Sequence, residues 1–284
     1  MRVESKMVVE VRQPASLPEF YQCEELQRRI WGTENPVPAH ILIAGHRNGG
    51  LLLMAFEDGR PVGFCFGFTG RDGDAAYFYN HMLGVVPEAQ NRGVGYLLKL
   101  KQREHVLNAG FNLIKWTYDP LQSRNAALYL GKLGAICKKY AVNYYGKIRD
   151  ALNAEYESDR FIAEWWLNSP RVLRRIKNGG KHLELSDVDS RVPHALESRV
   201  DGCVRRAAKV RLDLESERLL VEIPWDIGFI KQLNLKLAID WRNKTRAVFH
   251  EYLSRGYMVI DFAVQEDEKR SFYILSKETD TSST

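Results

Sequence analysis

The sequence predicts an α/β protein with a mixed β-sheet flanked by helices, followed by a second, smaller α/β domain. Three observations carry that prediction. Two apolar runs, residues 51–56 and 61–68, are joined by Glu57-Asp58-Gly59-Arg60, and an Asp-Gly turn between apolar runs marks an antiparallel hairpin. Strand-like stretches then alternate with helix-like ones, which demands crossovers and a sheet of mixed direction. Between the apolar run 82–87 and a helical stretch at 96–107 stands Gln90-Asn91-Arg92-Gly93-Val94-Gly95, a glycine-bearing turn at a helix start.

Residues 7–12 alternate as a first strand. Ser16 can cap a helix over 17–31, with Phe20, Cys23, Leu26, Gln27 and Ile30 near one face. Residues 32–50 carry Pro36, Pro38 and a glycine pair, so they should be irregular with one short helix. After the hairpin, 69–74 reads as a polar loop and 75–86 as a long strand. The helix behind the glycine turn ends at Asn108-Ala109-Gly110, where Gly110 suits a left-handed cap. Residues 112–118 are a β-rich run broken by Asp119-Pro120. A short helix at 123–133, closed by Gly134, and strands at 136–145 and 160–167 complete this half.

The texture changes at Asn168. Ser169-Pro170, a basic helix at 171–177, Gly179-Gly180 and a polar region to Ser190 mark a boundary, so the expected domains are 1–168 and 169–284. The second shows one clear module: a strand at 218–223 ended by Pro224, a long helix at 227–255, then strands at 257–264 and 271–275. Ile230, Leu233, Leu237, Trp241, Val248 and Tyr252 share one face of that helix. Strand, long helix, strand, strand echoes residues 75–118 in outline. A degenerate copy of the first fold and an unrelated module both stay open. Residues 278–284 read as a disordered tail.

The 284 residues are 45% hydrophobic and 27% charged, with a formal net charge of +5, ordinary for a globular protein. Acidic and basic residues are interspersed, without the basic stripe or motif of a nucleic-acid binder. No stretch reaches the roughly 18 apolar residues of a membrane span, and the N-terminus lacks a signal-peptide core. Cys23, Cys65, Cys137 and Cys203 are far apart, with no metal-ligand spacing, and read as buried thiols of a reducing compartment. The expectation is a cytoplasmic protein with no metal, membrane or nucleic-acid partner.

A strand, a glycine turn and a helix start present free N–H groups at the positive end of a helix dipole, a place for phosphate. A side chain on either glycine would block close approach. Three phosphate loops compete. A Walker loop needs Gly-Lys-Ser/Thr, but Tyr96 follows Gly95. A dinucleotide fingerprint needs a third glycine where Leu98 stands, although Asp119 holds the place of a ribose-binding acid and keeps this alternative open, weakened. The third is the Gln/Arg-x-x-Gly-x-Gly/Ala turn of the GCN5-related N-acetyltransferase (GNAT) superfamily, which Gln90-Asn91-Arg92-Gly93-Val94-Gly95 resembles closely. Leu83-Gly84-Val85-Val86-Pro87-Glu88 resembles the strand end leading into that turn. Asn125-Ala126-Ala127-Leu128-Tyr129-Leu130-Gly131-Lys132-Leu133-Gly134 resembles the family's later helix. More narrowly, Thr117-Tyr118-Asp119-Pro120-Leu121, Asp159-Arg160-Phe161 with Glu164-Trp165, and Ile223-Pro224-Trp225-Asp226-Ile227 resemble a branch of predicted acetyltransferases with a long C-terminal extension.

The resemblance implies a GNAT-like splayed sheet and acetyl-CoA, or another acyl-CoA, as co-substrate. Its pyrophosphate would follow Gln90 and lie on the N–H groups of Asn91, Arg92, Gly93, Val94, Gly95 and Tyr96. The pantetheine arm would pair with main-chain groups between Leu83 and Val85, as an added strand. Asn125 would bond that arm, or else cap its helix. Arg92, Lys99 and Arg103 are candidates for phosphate charge, or else a solvated helix face.

Transfer to an amine needs a route for the amine proton, and a proton for the leaving thiolate helps. The resemblance implies a tyrosine for the latter, four residues before the glycine that ends the later helix. Leu130 holds that position; Tyr129 lies one place away, a rotation of about 100°. His81, on the strand leading into the turn, is a candidate base, against a structural hydrogen bond. Asp119, at a strand's C-terminal end, is the third catalytic candidate, against a turn-capping role. The expected acceptor is an amine of a small molecule or a protein terminus, attacking directly in a ternary complex. The alternative is a CoA-binding module or regulatory protein without efficient transfer. In the extension Trp225, Asp226, Trp241 and Arg242 stand out, yet form no catalytic set. Its Pro224-Trp225-Asp226-Ile227-Gly228 lacks the glycine turn, so it should bind no coenzyme and instead shape the acceptor pocket or a homodimer interface.

Overall fold

A computed structural model of the chain describes residues 9–146 and 156–277; the tail expected at 278–284 lies outside the described residues. The chain divides into two compact units, Met1–Trp116 and Thr117–Thr284. Motif order groups residues 117–168 with the acyl-CoA half, whereas compactness groups them with residues 169–284; the two divisions answer different questions.

In the first unit β1 (Val9–Arg12), α1 (Leu17–Trp31), α2 (Ala39–Arg47), β2 (Leu51–Glu57), β3 (Arg60–Asp72), β4 (Ala75–Val85), α3 (Val94–Asn108) and β5 (Leu113–Tyr118) follow in order, β5 running two residues past Trp116. β1, β2, β3 and β4 pair antiparallel in sequence, and β4 pairs β5 in parallel. That is the mixed sheet which hairpins and one crossover helix require. Every residue from Leu51 to Phe56 is buried, because α2 and α3 both pack on β2; hence its unbroken apolar run. The loop expected at 69–74 is corrected: β3 continues to Asp72, paired with Ala75, and the turn shrinks to Gly73-Asp74. This end of the ribbon is mostly exposed, so no buried face marks it in the sequence.

The second unit holds the end of β5, α4 (Ser123–Ala126) continuing as a π-helix over Ala127–Lys132, β6 (Ile136–Ala141), β7 (Arg160–Trp166), α5 (Pro170–Lys177), β8 (Leu183–Glu184), β9 (His194–Asp201), β10 (Val204–Val210), β11 (Arg218–Ile223), α6 (Ile227–Leu233), α7 (Leu235–Ser254), β12 (Met258–Gln265) and β13 (Arg270–Ser276). The long helix expected at 227–255 is two helices. Asn234, at φ −159°, leaves helical geometry, and its side chain accepts from the Leu237 N–H to cap α7. The β9–β10 hairpin was not expected, although Asp201-Gly202 is an Asp-Gly turn. Its flanking strands carry so many exposed charges that the apolar alternation is lost.

Strand order in this unit, from the end of β5, is β5–β7–β6–β12–β13–β11–β9–β10. The first six are symmetric. Strand, helix, strand, strand in the chain becomes 5–7–6 on one side and 11–13–12 on the other. The equivalent strands β6 and β12 meet antiparallel at Cys137↔Val259, as a two-fold axis there requires. Detail repeats as well. A left-handed glycine precedes each strand, Gly134 (φ 75°) and Gly256 (φ 84°), and each strand bulges just after the shared pair, at Cys137/Lys139 and Val259/Asp261. So the echo expected of residues 75–118 falls on residues 117–166, and α6–α7 answers to α4. β9 does run parallel to β11, as β4 does to β5, but it reaches β11 through strand β10 and not through a crossover helix. Aromatic packing ties the repeats together: Phe161 of β7 stands edge-on to Phe249 of α7 at 4.7 Å and to Tyr273 of β13 at 5.4 Å.

All four cysteines are free. Cys23, Cys65 and Cys137 are buried as expected, whereas Cys203, in the unforeseen hairpin turn, is exposed. Among the described residues no helix is long and apolar enough to cross a membrane.

Candidate active site

In the first unit β4 ends at Val85, and a short 3-10 turn at Pro87–Ala89 leads to Gln90, whose amide donates to the Val85 carbonyl at 3.1 Å. Asn91 (φ 60°) and Gly93 (φ 85°) are both left-handed. A Cβ on Gly93 would meet nothing within 4 Å, so glycine serves the backbone angle here. Gly93 is the N-cap of α3 and has no side chain with which to cap that end. The helix ladder starts with Leu97 N–H donating to Gly93 O at 3.0 Å, so the N–H groups of Val94, Gly95 and Tyr96 precede it. This is a dipole end with amides to offer.

The pairing of β4 with β5 covers Phe78↔Ile114 and Tyr79↔Lys115. Past Tyr79 no further rung to β5 occurs among the described residues, so the stretch 80–85, with Leu83 and Val85, diverges from its neighbour. That is the splay, and it leaves a strand edge for an amide-bearing arm.

The charges near the turn differ from expectation. Arg92 is ion-paired with Glu57, which a phosphate would have to displace or share. Lys99 is corrected: it is fully buried, not a phosphate ligand. Its Nζ donates to Gln102 Oε1 at 2.7 Å and lies 4.0 Å over the Trp116 ring, while Gln102 donates to Asn80 Oδ1 at 2.8 Å. Burial lowers its pKa to about 7. Arg103 sits more than two turns past the helix start, roughly 14 Å along the axis. His81 presents an exposed face on β4, but Phe68 at 6.0 Å and Tyr79 at 6.4 Å flank its ring. Loss of water on that flank lowers its pKa, so the imidazole is neutral at pH 7.

In the second unit Asp119 closes an Asx turn, accepting from Leu121 N–H at 2.8 Å, and also accepts from Arg242 Nη2 at 2.7 Å. Burial pushes this carboxyl up, but Arg242 and the turn N–H outweigh it, so its pKa lies below the ordinary value. Asp119 is a fixed anion and a poor proton acceptor near neutral pH. Asn125 is partly buried in α4, whose N-cap is Gln122, so the capping alternative for Asn125 drops away.

Tyr129 lies in the π-helix. Leu133 N–H donates to Leu128 O at 3.0 Å and Ala135 N–H to Tyr129 O at 2.9 Å. A π turn takes one residue more than an α turn, so the interval from Tyr129 to Gly134 spans what one residue fewer spans in an α-helix. The backbone thus absorbs the one-place offset read from the sequence. The ring is buried, edge-on to Tyr118 at 5.2 Å.

Two residues of the extension that the sequence singles out have roles it did not reveal. Tyr252 stands four places before Gly256, the spacing sought in vain before Gly134; its hydroxyl donates to Arg211 O at 2.8 Å and accepts from Leu214 N–H at 3.2 Å. Asp226 caps α6, accepting from Phe229 N–H at 3.0 Å, so its own carboxylate takes up a helix-start amide. Elsewhere among the described residues, His182, Glu184 and Glu266 bring side-chain ligand atoms within 4.8 Å of one another; two of the three are exposed, and nothing links the trio to either feature above.

Residues 17–135 match the family model described as the acetyltransferase (GNAT) family. The chain carries a GNAT acetyltransferase domain. The matched span contains the glycine turn, the splayed strands, His81, Asp119 and Tyr129. Solved structures similar to the chain include the ribosomal-protein-S18-alanine N-acetyltransferase from Escherichia coli, 16% identical over 55% of this chain and 92% of that one, with a TM-score of 0.44. Naa50 of Arabidopsis thaliana, in complex with the bisubstrate analogue CoA-Ac-MVNAL, is 18% identical over 55% of this chain and 97% of its own, with a TM-score of 0.43. The GCN5-related glucosamine N-acetyltransferase region of a fungal multi-domain GH3 β-N-acetylglucosaminidase is 21% identical over 40% of this chain; the chain spans 14% of that protein, with a TM-score of 0.35. No curated protein matches the sequence. The matched span, residues 17–135, is that of an acetyltransferase domain.

Proposed function

We propose that the protein transfers the acetyl group of acetyl-CoA, or a related acyl group, directly to an amine of a small molecule or a protein terminus in a ternary complex. One observation carries the reading: the glycine turn of α3 lies at the end of a strand whose edge past Tyr79 has no rung to β5 among the described residues. The amides of Asn91, Arg92, Gly93, Val94, Gly95 and Tyr96 take the pyrophosphate, and Gln90 braces the Val85 carbonyl at the turn's entry. Main-chain groups between Leu83 and Val85 bond the pantetheine arm, with Asn125 as a side-chain partner. The amine lone pair adds to the thioester carbonyl, the C–S bond breaks, and the thiolate takes a proton. Neutral His81 accepts the proton lost by nitrogen and Tyr129 donates to sulfur. Asp119 keeps a fixed negative charge. Residues 1–168 form the acyl-CoA-binding part on this reading, and the free thiols suit a reducing cytoplasm.

The test is thioester consumption against a panel of amines. Turnover that disappears on Gly93→Glu, in a chain that still folds, supports the reading; tight acetyl-CoA binding with no turnover on any amine favours a coenzyme-binding module instead. With His81 as base, kcat/KM falls as pH drops through a pKa below the usual histidine value, and His81→Gln removes that limb with a loss of about 100-fold in kcat.

A further inference from the structure

The loop from β5 to α4, residues 119–123, is held by groups from the other repeat. Arg242 of α7 donates to Asp119 Oδ1 at 2.7 Å. Tyr273 of β13 donates its hydroxyl to the Pro120 carbonyl at 2.8 Å. Ser123 Oγ donates to the carbonyl of Trp225, just ahead of α6. Arg242 Nη2 also donates to the Tyr156 hydroxyl at 2.9 Å, and the guanidinium lies 4.6 Å from the centre of that ring.

Arg242 is only 2% exposed, and among the described residues its Nε and Nη1 have no hydrogen-bond partner. Stability alone explains this poorly, since a buried ion pair is often no better than apolar residues of the same volume and unpartnered buried donors are costly. The group that the charge addresses is Asp119. From Asp119 the chain runs directly into the helix that carries Asn125 and Tyr129.

We propose that Arg242 is a positioning residue for acetyl transfer: it holds Asp119 ionised and fixes the 119–123 loop, and the second repeat is retained to supply this clamp. The role in transfer rests on the acetyltransferase reading above; the clamp does not. Other groups facing the pair are Arg160 of β7, Tyr140 of β6, Tyr156, and Tyr273 of β13. Arg160 is the further cation bearing on Asp119, and it is too weak a cause to replace Arg242. Removing Arg242 therefore leaves burial to raise the carboxyl's pKa.

The experiment uses the full chain with Arg242→Met, Arg242→Lys and Tyr273→Phe. In Arg242→Met, amide exchange within residues 119–123 should quicken by about 10-fold or more while the rest of the fold keeps its protection. On an accepted amine, kcat should fall about 10- to 100-fold with KM for acetyl-CoA within about 2-fold, and the acid limb of kcat should move to higher pH. Arg242→Lys keeps the charge but not the fork, so it should restore the acid limb and only part of kcat. Should Arg242→Met fail to fold, Tyr273→Phe, which removes one bond and keeps the ring, must still quicken exchange at the loop. Native exchange and a native pH profile in folded Arg242→Met would overturn the proposal. A wild-type chain that turns over no amine defeats the acetyltransferase reading alone, because the exchange measurement still decides the clamp.

Discussion

The two repeats of the second unit end their helices on the same pair of residue types and employ them differently. Tyr129 leads through a π turn to Gly134, and Tyr252 leads through an α-helix to Gly256. Tyr252 has the spacing of an acetyltransferase's proton donor, yet its hydroxyl is bound to the backbone at Arg211 and Leu214. The cause lies upstream. β5 is preceded by a crossover helix with an open amide turn; β11 is preceded by a hairpin strand, and the helix after it opens with a carboxylate cap. Tyr252 instead tethers the 211–214 loop. The local signature is common to both repeats; the chemistry belongs to the elements that precede it.

Exchanging features between the regions tests this contrast. Gly93→Asp gives the first turn the cap of the second. A side chain is strained at φ 85°, and its carboxylate competes for the amides, so acetyl-CoA affinity measured by calorimetry should fall about 100-fold or more. Tyr129→Phe should lower kcat by about 10- to 100-fold with little change in acetyl-CoA binding. Tyr252→Phe should leave kcat alone and cost about 1 to 3 kcal/mol in urea unfolding, since two backbone bonds are lost. Equal loss of activity in the two variants would erase the distinction.

Buried cations extend the comparison. Arg242 faces a carboxylate, while Lys99 is held by an amide and an indole. Lys99→Met should stabilise the protein by about 1 to 3 kcal/mol at pH 6. The folded pKa of Lys99, about 7, lies below its unfolded value, so the unfolded chain binds more protons from there to about pH 10.4. Stability of the native sequence rises across that window, and the advantage of Lys99→Met should shrink over it. Asp119 has the same sense in a more acidic window. Its depressed pKa contributes stability above the unfolded value of about 3.9, lost as pH falls further. The smallest expected effect is Asp226→Gly: a few tenths of a kcal/mol from the lost cap, with no coenzyme affinity gained, because Pro224 and Trp225 still stand in place of the turn.

Much of this was legible in the sequence. The hairpin, the helix at 17–31, the glycine turn and the strand beside it follow from turn chemistry and apolar period, because each is a local signal. What stayed hidden was non-local. Nothing around Lys99 shows that its face is covered, since the burial depends on Trp116 and Asn80 from other strands. Asp119 reads as a turn residue, and only the fold brings Arg242 to it across more than a hundred residues. The π turn escapes because its backbone pattern has no residue signature, so Tyr129 looks misplaced by one. Tyr252 is readable, as Tyr-Leu-Ser-Arg-Gly, but its place on the apolar face of its helix masks the spacing.

The meeting of β6 and β12 at Cys137 and Val259 bears on how the protein can be handled. A chain cut at the boundary suggested by its motifs, after residue 168, would keep β6 and lose β12, leaving a strand edge open to other molecules. It would also bare the aromatic side of Phe161 that Phe249 and Tyr273 now cover. Such a fragment should self-associate and precipitate when expressed alone, however complete its acetyltransferase motifs. The part of the chain that carries no catalytic motif is then what keeps the motif-bearing part in solution.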